Sequence, residues 1–346
     1  MKKAIVAFVC LLLAVFLASC RHIYQDGSDL TSTNTNTDIT TAFSANSTEN
    51  PKTDFQYEIS ANGDAVYINK YIGTSKSVVI PSQIDGLPVI SIKGVVGDFG
   101  FVQEGAFEDC DIQSVTIPES VTAVGLHAFK NCAELTQITV SENLETLLDG
   151  AFQNCKKLET IDLSTTKLSY LGGVSFYDCV NLTEIALPPS LTEIGEKAFY
   201  NCSSLSEIIL PEGITRVGEA AFADCTALKT ITIPVELDLF VMRFPVFSNM
   251  PNLETIIFQE GRKVITGYAY FDITSDVEIV IPKTVKKFSP HPFFIRGSAN
   301  ILFEGDCPEI VEKNDFYGNP TIFYHPNTNG WDACIWKDQY TLKPME

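Results

Sequence analysis

One short pattern, Ala-Phe-x-x-Cys or a near copy, recurs six times in the middle of the chain. Its cysteines lie 22, 23, 24, 23 and 23 residues apart. They are Cys110, Cys132, Cys155, Cys179, Cys202 and Cys225. A unit this short cannot bury its apolar residues alone, so consecutive units must stack on one another. The pattern therefore restricts the chain to a repeat protein, which grows by adding rungs rather than cores.

Each repeat divides into an extended part and a turn. A Leu-x-x-Ile-x-Ile stretch, as in residues 205–210, alternates and is rich in β-branched residues, so it predicts a short strand with one buried face. A second apolar pair precedes Gly195, where glycine is expected to allow a backbone bend closed to other residues. Ala198 and Phe199 then point inward on a short helical or irregular turn. Stacked rungs would bring their strands into a parallel sheet with a spacing of about 4.8 Å.

The repeat resembles the BspA-type leucine-rich repeat of bacterial surface proteins, also called the treponemal type, whose core is Ala-Phe-x-x-Cys-x-x-Leu-x-x-Ile-x-Ile-Pro. The match is specific over residues 105–234. It implies an α/β-type repeat solenoid that is mostly β: a right-handed leucine-rich-repeat solenoid with one short parallel strand per rung and a C-terminal cap. Two departures, Ser141 in place of proline and Leu148 in place of glycine, concern the shape of local turns.

The resemblance extends less strictly from residue 55 to the end of the chain. The predicted divisions are first rungs in 55–105, regular repeats in 106–234, irregular rungs in 235–300 and a cap in 301–346. Met250 takes the cysteine position of an irregular rung. A cap is required because the last rung would otherwise expose an apolar end and an unpaired strand edge. Tyr324, Trp331 and Trp336 are expected to cover that end.

The N-terminus carries the pattern of an export signal. Lys2 and Lys3 precede an apolar run, residues 4–16, that is shorter than the ~20 residues of a membrane span. Leu-Ala-Ser then precedes Cys20 and looks like a lipobox. We therefore predict a lipoprotein signal peptide in residues 1–19 and a lipid anchor on Cys20. The protein would be held on the outer face of a bacterial membrane, at the cell surface. The alternative is an ordinary signal peptide followed by a chance cysteine.

A polar segment separates the predicted anchor from the repeats. In residues 28–50, 15 of 23 residues are Ser, Thr or Asn. Such a composition offers almost nothing to bury, so residues 20–54 are predicted to form a disordered tether.

The chain is acidic, with a formal net charge of −19. An acidic surface repels phosphate backbones, which argues against nucleic acid as a partner. The acids and bases are spread along the chain, so charge identifies no partner, and the protein is expected to be a monomer.

Eight cysteines remain after the signal peptide and the lipid site are set aside. The six repeat cysteines are expected to form an internal ladder of free thiols, because a disulfide needs Cβ atoms about 3.8 Å apart, closer than neighbouring rungs. Partial pairing of the ladder and metal binding remain as alternatives. Cys307 and Cys334 both fall in the predicted cap, and export permits a disulfide between them.

Catalysis finds little support in the sequence. None of the four histidines falls in a metal-ligand or nucleophile–base motif, and His127 is expected to be solvated. Acids such as Glu184, Glu193 and Glu207 recur on the rungs, where variable surface positions explain them as well as a glycosidase pair would. We therefore predict no enzyme activity, no metal and no cofactor.

The outward positions of the predicted strands form two columns across the rungs. Their central part, the candidate binding face, is Gln137, Thr139, Thr160, Asp162, Glu184, Ala186, Glu207, Ile209, Thr230 and Thr232. Sheets of this kind are the usual binding surface of solenoids. Threonine also simply favours strands, so a purely structural origin of the columns remains open.

The leading hypothesis is a surface-displayed protein-binding or adhesion module, because signal, anchor, tether and repeats together present an extended face. The family resemblance implies a protein ligand on a host or microbial surface. An alternative from another class is a lipoprotein that captures carbohydrate for a nutrient-uptake system. Exposed Trp and Tyr in a cleft would favour that alternative, whereas Trp331 and Trp336 fall in the predicted cap.

Overall fold

The folded part of the chain begins earlier than the sequence predicts. The computed structural model describes residues 48–96, 102–237, 244–265, 271–274, 276–288, 293–310, 316 and 318–346. The predicted signal peptide, Cys20 and the tether up to residue 47 lie outside them. Residues 48–54, assigned above to the tether, are ordered against the first rung, because the Asn50 side chain accepts a hydrogen bond from the Val79 N–H at 2.8 Å and donates one to Asp54 at 2.9 Å.

Short strands make up almost all of the regular structure in the first two thirds of the chain. A 3₁₀-helix, Lys52–Asp54, precedes them. The strands are β1 (Phe55–Ile59), β2 (Val66–Tyr71), β3 (Ser77–Val79), β4 (Gln83–Ile84), β5 (Leu87–Ile92), β6 (Val95–Val96), β7 (Val102–Glu104), β8 (Ser114–Thr116), β9 (Ala123–Val124), β10 (Gln137–Thr139), β11 (Thr146–Leu147), β12 (Thr160–Asp162), β13 (Tyr170–Leu171), β14 (Glu184–Ala186), β15 (Glu193–Ile194), β16 (Arg216–Val217) and β17 (Thr230–Ile233).

The last third continues with strands and ends in two further 3₁₀-helices, Trp331–Ala333 and Ile335–Asp338. The strands are β18 (Phe247–Ser248), β19 (Thr255–Phe258), β20 (Val264–Ile265), β21 (Phe271–Ile273), β22 (Val277–Ile281), β23 (Lys287–Phe288), β24 (Phe293–Ile295), β25 (Ala299–Phe303), β26 (Glu309–Ile310), β27 (Thr321–Tyr324) and β28 (Thr341–Pro344).

The strands stack in parallel from rung to rung, which confirms the predicted repeat solenoid. One strip, here called the first strip, holds the strands of the Leu-x-x-Ile-x-Ile stretch in three sheets: β3–β8–β10, β12–β14 and β17–β19–β22–β25–β27–β28. Successive strands of these sheets pair in parallel, for example Ile161 with Ile185 and Ile231 with Ile256. The described residues contain no α-helix; the Ala-Phe segment is a series of turns.

Most of the regular rungs carry two strands, one in each of two strips, rather than the single strand predicted. The second strip comprises β5, β9, β11, β13, β15 and β16, in parallel order. Apart from β5, these strands are the last two residues of the Leu-x-x-Ile segments, and two residues are too short to show an alternating pattern. Neighbouring rungs supply the hydrogen bonds that make them strands, as in the pairing of Ile194 with Val217. In the last third, β18–β21–β24 form a further parallel sheet at the phenylalanine position.

A continuous column of stacked aromatic rings runs through the core. Neighbouring centroids lie 4.9–5.4 Å apart from Tyr71 to Phe271. Its members are Tyr71, Phe107, Phe129, Phe152, Phe176, Phe199, Phe222, Phe247 and Phe271. All the phenylalanines are fully or almost fully buried. Each ring packs between the rings of the rungs above and below, so burial of one repeat depends on its neighbours.

The glycine that follows most of the second-strip strands serves a different purpose from the one expected. Gly195 has no positive φ. Instead the backbone of the preceding rung comes so close that a Cβ atom on Gly195 would lie 2.4 Å from the Gly173 nitrogen. Gly218 faces the backbone of Glu196 at the same distance. Glycine is therefore required here for the close approach of two rungs and not for a special backbone bend.

The two departures from the repeat leave the local turns intact. The Leu148 N–H donates to the Val124 carbonyl at 3.0 Å, as the Gly195 N–H donates to the preceding rung. Ser141 is fully buried, and its carbonyl accepts from the Leu144 N–H at 3.1 Å, the bond that Pro188 makes in its own turn. The backbone pairing thus tolerates both substitutions.

An aromatic cluster covers the C-terminal end of the core, as the sequence predicts. Trp336 is completely buried, and its ring lies 5.0 Å from that of Phe316 and 5.5 Å from that of Phe303. Trp331 is buried and stacks on Tyr324 at 4.9 Å. Beyond this cluster β28 is the edge strand of its sheet, and it ends in proline, a residue that blunts sheet edges.

A glycine-to-alanine pair tests the close packing of the rungs. Gly195→Ala places a methyl group against backbone that cannot rotate away, so we expect the free energy of unfolding to fall by about 1–3 kcal/mol. Gly213→Ala is the matched control, because the nearest atom to its Cβ would lie 3.9 Å away. Urea unfolding of both variants measures the difference. Equal stability of the two variants would contradict the proposed role of Gly195.

Candidate binding face

The candidate binding face lies on the solvent side of the first strip. Eight of its ten members are exposed, and Ala186 and Thr232 are half-buried. The residues between them on each strand point inward: Ile161, Ile185 and Ile231 are buried. This alternation is the period of two expected for a strand with one face on the core.

The rungs align these side chains in register wherever the first strip is hydrogen bonded. Thr160 lies opposite Glu184, and Asp162 lies opposite Ala186. In the same way Gln137 lies opposite Ser114. The predicted columns therefore exist within each sheet of the strip.

The first strip is not one continuous sheet, however. No strand pairing joins β10 to β12, and residues 206–210, predicted to be a strand, do not form one. Leu205, Ile208 and Leu210 are nonetheless buried, so the segment still covers the core. No backbone hydrogen bond of the described structure joins residues 206–210 to the rung before or after them. The columns are interrupted there, between β14 and β17.

A groove of about 800 Å³ accompanies this interruption. One side is formed by residues 183–189 and the other by residues 206–213. Ile209 projects from its wall and is 74% exposed, the largest exposure among the large apolar side chains described. A second groove of about 530 Å³ lies on the opposite side of the segment and includes Lys229. Sequence reasoning placed Glu184, Ala186, Glu207 and Ile209 on the face but did not predict the groove.

The larger groove carries negative charge. Glu184, Glu207 and Glu212 line it, and none of its described lining residues is basic. In the described structure these three carboxylates make no ion pair and no side-chain hydrogen bond. Elsewhere on the surface, carboxylates pair across rungs, as Glu108 does with Lys130 at 2.8 Å. The groove is therefore a site of unbalanced acidic charge beside exposed apolar surface.

The repeat cysteines line up inside the solenoid as hydrogen-bond donors. Five of the six are fully buried and Cys110, in the first regular rung, is half-buried. Each of the five donates from Sγ to the phenylalanine carbonyl of the preceding rung, as Cys179 does to Phe152 at 3.1 Å. Burial raises the pKa of Cys179 to about 12 and that of Cys110 to about 11, so both thiols keep their protons. The ladder thus holds rungs together without disulfides in this structure.

Cys307 and Cys334 form a separate pair in the cap. Their sulfur atoms lie 2.8 Å apart, with Cys307 donating a hydrogen bond to Cys334. That hydrogen bond lowers the pKa of Cys334 and raises the pKa of Cys307. Two thiols in such contact need little movement to become a disulfide.

A row of asparagine and aspartate residues before the cysteines was missed by the sequence analysis. Its members are Asp109, Asn131, Asn154, Asp178, Asn201, Asp224 and Asn249, all with φ between 53° and 62°. Asn and Asp adopt this left-handed conformation more readily than other side chains do. Asn131 and Asn154 also bond along the row, at 2.8 Å. Their recurrence at one position of the repeat was the available signal.

Few groups on the molecule suggest reaction chemistry. His127 is half-buried at φ 54° rather than solvated as predicted, and burial lowers its pKa. Tyr200 stacks on Tyr177 at 4.9 Å, and its hydrogen bond with Asp224 raises its pKa to about 12. Among the described residues no group of three or more His, Cys, Asp or Glu is placed to hold a metal ion. The described residues also include no helix long and apolar enough to span a bilayer.

The parallel strips, the aromatic column and the exposed face define a leucine-rich-repeat solenoid, a class of generally non-enzymatic modules that interact with proteins. The profile of the BspA type leucine-rich repeat region matches the chain in six copies, over residues 101–229 and 192–322. These ranges cover more than half of the sequence. The chain belongs to the BspA-type leucine-rich repeat family.

Several solved structures are similar to this chain. A leucine-rich repeat protein of T. pallidum is 31% identical, with 61% of this chain and 86% of that chain aligned and a TM-score of 0.40. A leucine-rich cell surface protein of Faecalibacterium prausnitzii is 19% identical over 88% and 96% of the two chains, with a TM-score of 0.41. The pneumococcal vaccine antigen PcpA is 16% identical over 85% and 97%, with a TM-score of 0.42. No curated protein matches the sequence.

The oxidation state of the cap pair and of the cysteine ladder can be tested together. We propose that Cys307 and Cys334 form a disulfide when the full chain is exported, the two thiols giving up two protons and passing two electrons to a thiol oxidant outside the cytoplasm, whereas the buried ladder stays reduced. Alkylation after unfolding without reductant, followed by peptide mapping, should find the cap peptides linked and the six ladder cysteines alkylated. Cys334→Ser should free Cys307 for alkylation and change nothing at the ladder. Linked ladder peptides, or a fully alkylated cap, would show the assignment to be wrong.

Proposed function

We propose that this protein is a protein-binding or adhesion module displayed on the outer surface of a bacterial cell. Its ligand is a protein on a host or microbial surface. The observation that carries the proposal is the candidate binding face, where exposed side chains are aligned in register within each hydrogen-bonded part of the first strip. A rigid strip of this kind offers many contacts without ordering loops, which lowers the entropic cost of binding.

The alternative of carbohydrate capture gains no support from the aromatic residues. Glycan sites commonly stack sugars on exposed aromatic rings, but Trp331 and Trp336, the two tryptophans of the chain, are buried in the cap. The ten residues of the candidate binding face include no aromatic residue, and Ile209 is their one large aliphatic side chain. It is exposed. The exposed aliphatic side chain of Ile209 suits an apolar side chain of a polypeptide better than the hydroxyl groups of a sugar.

We also propose that the protein has no enzyme activity. Its acidic side chains are distributed over the rungs, and no histidine, cysteine or aspartate lies among the described residues that line the larger groove beside its three glutamates. A binding role needs no reaction centre and requires only the exposed groove and face.

Surface location is proposed from the N-terminal sequence and the family. Lys2, Lys3, the apolar run and Leu-Ala-Ser-Cys together support export and acylation of Cys20. Residues 21–47 would then tether the solenoid to the membrane. The described residues include the candidate binding face but no part of the predicted anchor.

Binding can be tested with the full-length chain on arrays of matrix proteins, mucins, microbial surface proteins and glycans. We expect saturable binding to a protein and a loss of tenfold or more in affinity for Thr139→Lys or Thr232→Lys, because both introduce a long charged side chain into the face. Thr215→Lys is the matched control, because Thr215 is exposed beside the second strip and lies outside the face. The affinity of this variant for the ligand should change less than twofold. Glycan-only binding would favour carbohydrate capture instead.

The anchor can be tested separately in cells that express the full chain. Metabolic labelling with a fatty acid should mark the wild type and the Cys10→Ser control, since Cys10 leaves with the signal peptide. Cys20→Ser should abolish the label and release the protein from membranes. Labelling that persists in Cys20→Ser would disprove the predicted lipid site.

A further inference from the structure

We propose that the larger groove, between residues 183–189 and 206–213, binds an extended segment of a partner protein as an added β-strand with a basic side chain beside an apolar one. This inference rests on the proposed function and specifies the chemistry of the ligand. It concerns one place on the candidate binding face and not the face as a whole.

The backbone supplies the first argument. In paired parts of the first strip, rungs are joined by bonds such as Leu163 N–H to Ala186 O and Ile117 N–H to Thr139 O, both 2.9 Å. Residues 206–210 make no such bond in the described structure. β14 is paired with β12 on one side and faces this open segment on the other. Extended backbone with free N–H and C=O groups is a template for strand addition.

The apolar lining supplies the second argument. Ile209 is 74% exposed, although the rungs on either side carry Ala186 and Thr232 at the same position of the column. The next isoleucine of the column, Ile257, is half-buried. Pro189 and Pro211 also line the groove. An exposed β-branched side chain at a strand position loses water when a cross-strand neighbour covers it. The lining therefore favours a ligand residue that is apolar at the level of Ile209.

Charge supplies the third argument and selects the ligand. Glu184 and Glu207 lie two residues before Ala186 and Ile209, on the same face, and Glu212 also lines the groove. None of the three is neutralised by a side chain of the described structure. A lysine or arginine two residues from the apolar residue of a bound strand would point to the same side and meet these carboxylates. The smaller groove includes Lys229, so it lacks this preference.

A designed peptide tests the proposal directly. The probe is fluorescein-labelled Thr-Val-Lys-Val-Ile-Val-Thr, in which lysine and isoleucine share one face of a strand. Two control peptides accompany it: one with glutamate in place of lysine, and one with its five central backbone amides all N-methylated, which can donate no ladder hydrogen bond from either edge. Fluorescence anisotropy with the full-length chain should show saturable binding of the probe and at least tenfold weaker binding of both controls.

Variants of the protein locate the binding. Glu184→Lys combined with Glu207→Lys, and separately Ile209→Lys, should weaken binding of the probe at least tenfold. All three side chains are exposed, so the fold should persist, which circular dichroism checks. Glu142→Lys combined with Glu145→Lys makes the same charge change as the double variant at two exposed residues of another rung and should alter the affinity less than twofold. Equal binding of the N-methylated peptide, or groove variants that behave like this control, would overturn the proposal.

The outcomes separate this inference from the proposed function. A protein ligand found on the arrays whose affinity is unchanged by the groove variants would refute the groove and leave the binding function standing. Probe binding that depends on the groove, with no protein ligand on any array, would support the groove and count against the adhesion role. Size-exclusion chromatography that shows a dimer dissociated by Ile209→Lys would mean that a second copy occupies the groove, which also overturns the proposal.

Discussion

The contact between one rung and the next is the interaction on which the rest of this structure depends. Each phenylalanine ring stacks on the rings above and below at about 5 Å, and each buried thiol donates to a carbonyl of the preceding rung. Glycines such as Gly195 bring the two backbones close enough for both contacts. Because no repeat has a core of its own, stability is a property of neighbouring pairs, and the aromatic cluster at the C-terminus is needed to end the series.

The same dependence on neighbours explains how the fold can present a binding surface. Buried residues of the first strip are held by adjacent rungs, so their outward neighbours remain free to vary without cost to the core. Ile208 stays buried even where the strand ladder opens, while Ile209 turns to solvent. The groove beside them is thus compatible with a stable solenoid, because the core contacts survive the loss of the backbone pairing.

Much of this architecture could be predicted from repeating residues alone. The Phe, Cys and Leu positions recur, so an assignment of buried positions in one repeat applies to all the others. The columns of outward residues follow from the period of two along each strand. Met250 was recognised as a cysteine equivalent for the same reason. The second strip was not predicted, because its two-residue strands exist only through bonds to other rungs. Gly195 was assigned the wrong role, because close approach of two backbones leaves no trace in local sequence.

The sequence by itself determined the repeat, its register, the buried set and the acidic charge, since each is a property of residue type and spacing. Only the tertiary structure decided where the sheet is interrupted. Residues 205–210 have the same pattern as their counterparts in other rungs, yet they alone among the central repeats lack strand pairing in the described chain. Hydrogen bonding between strands depends on the placement of two backbones, and no pattern within one of them encodes that distance.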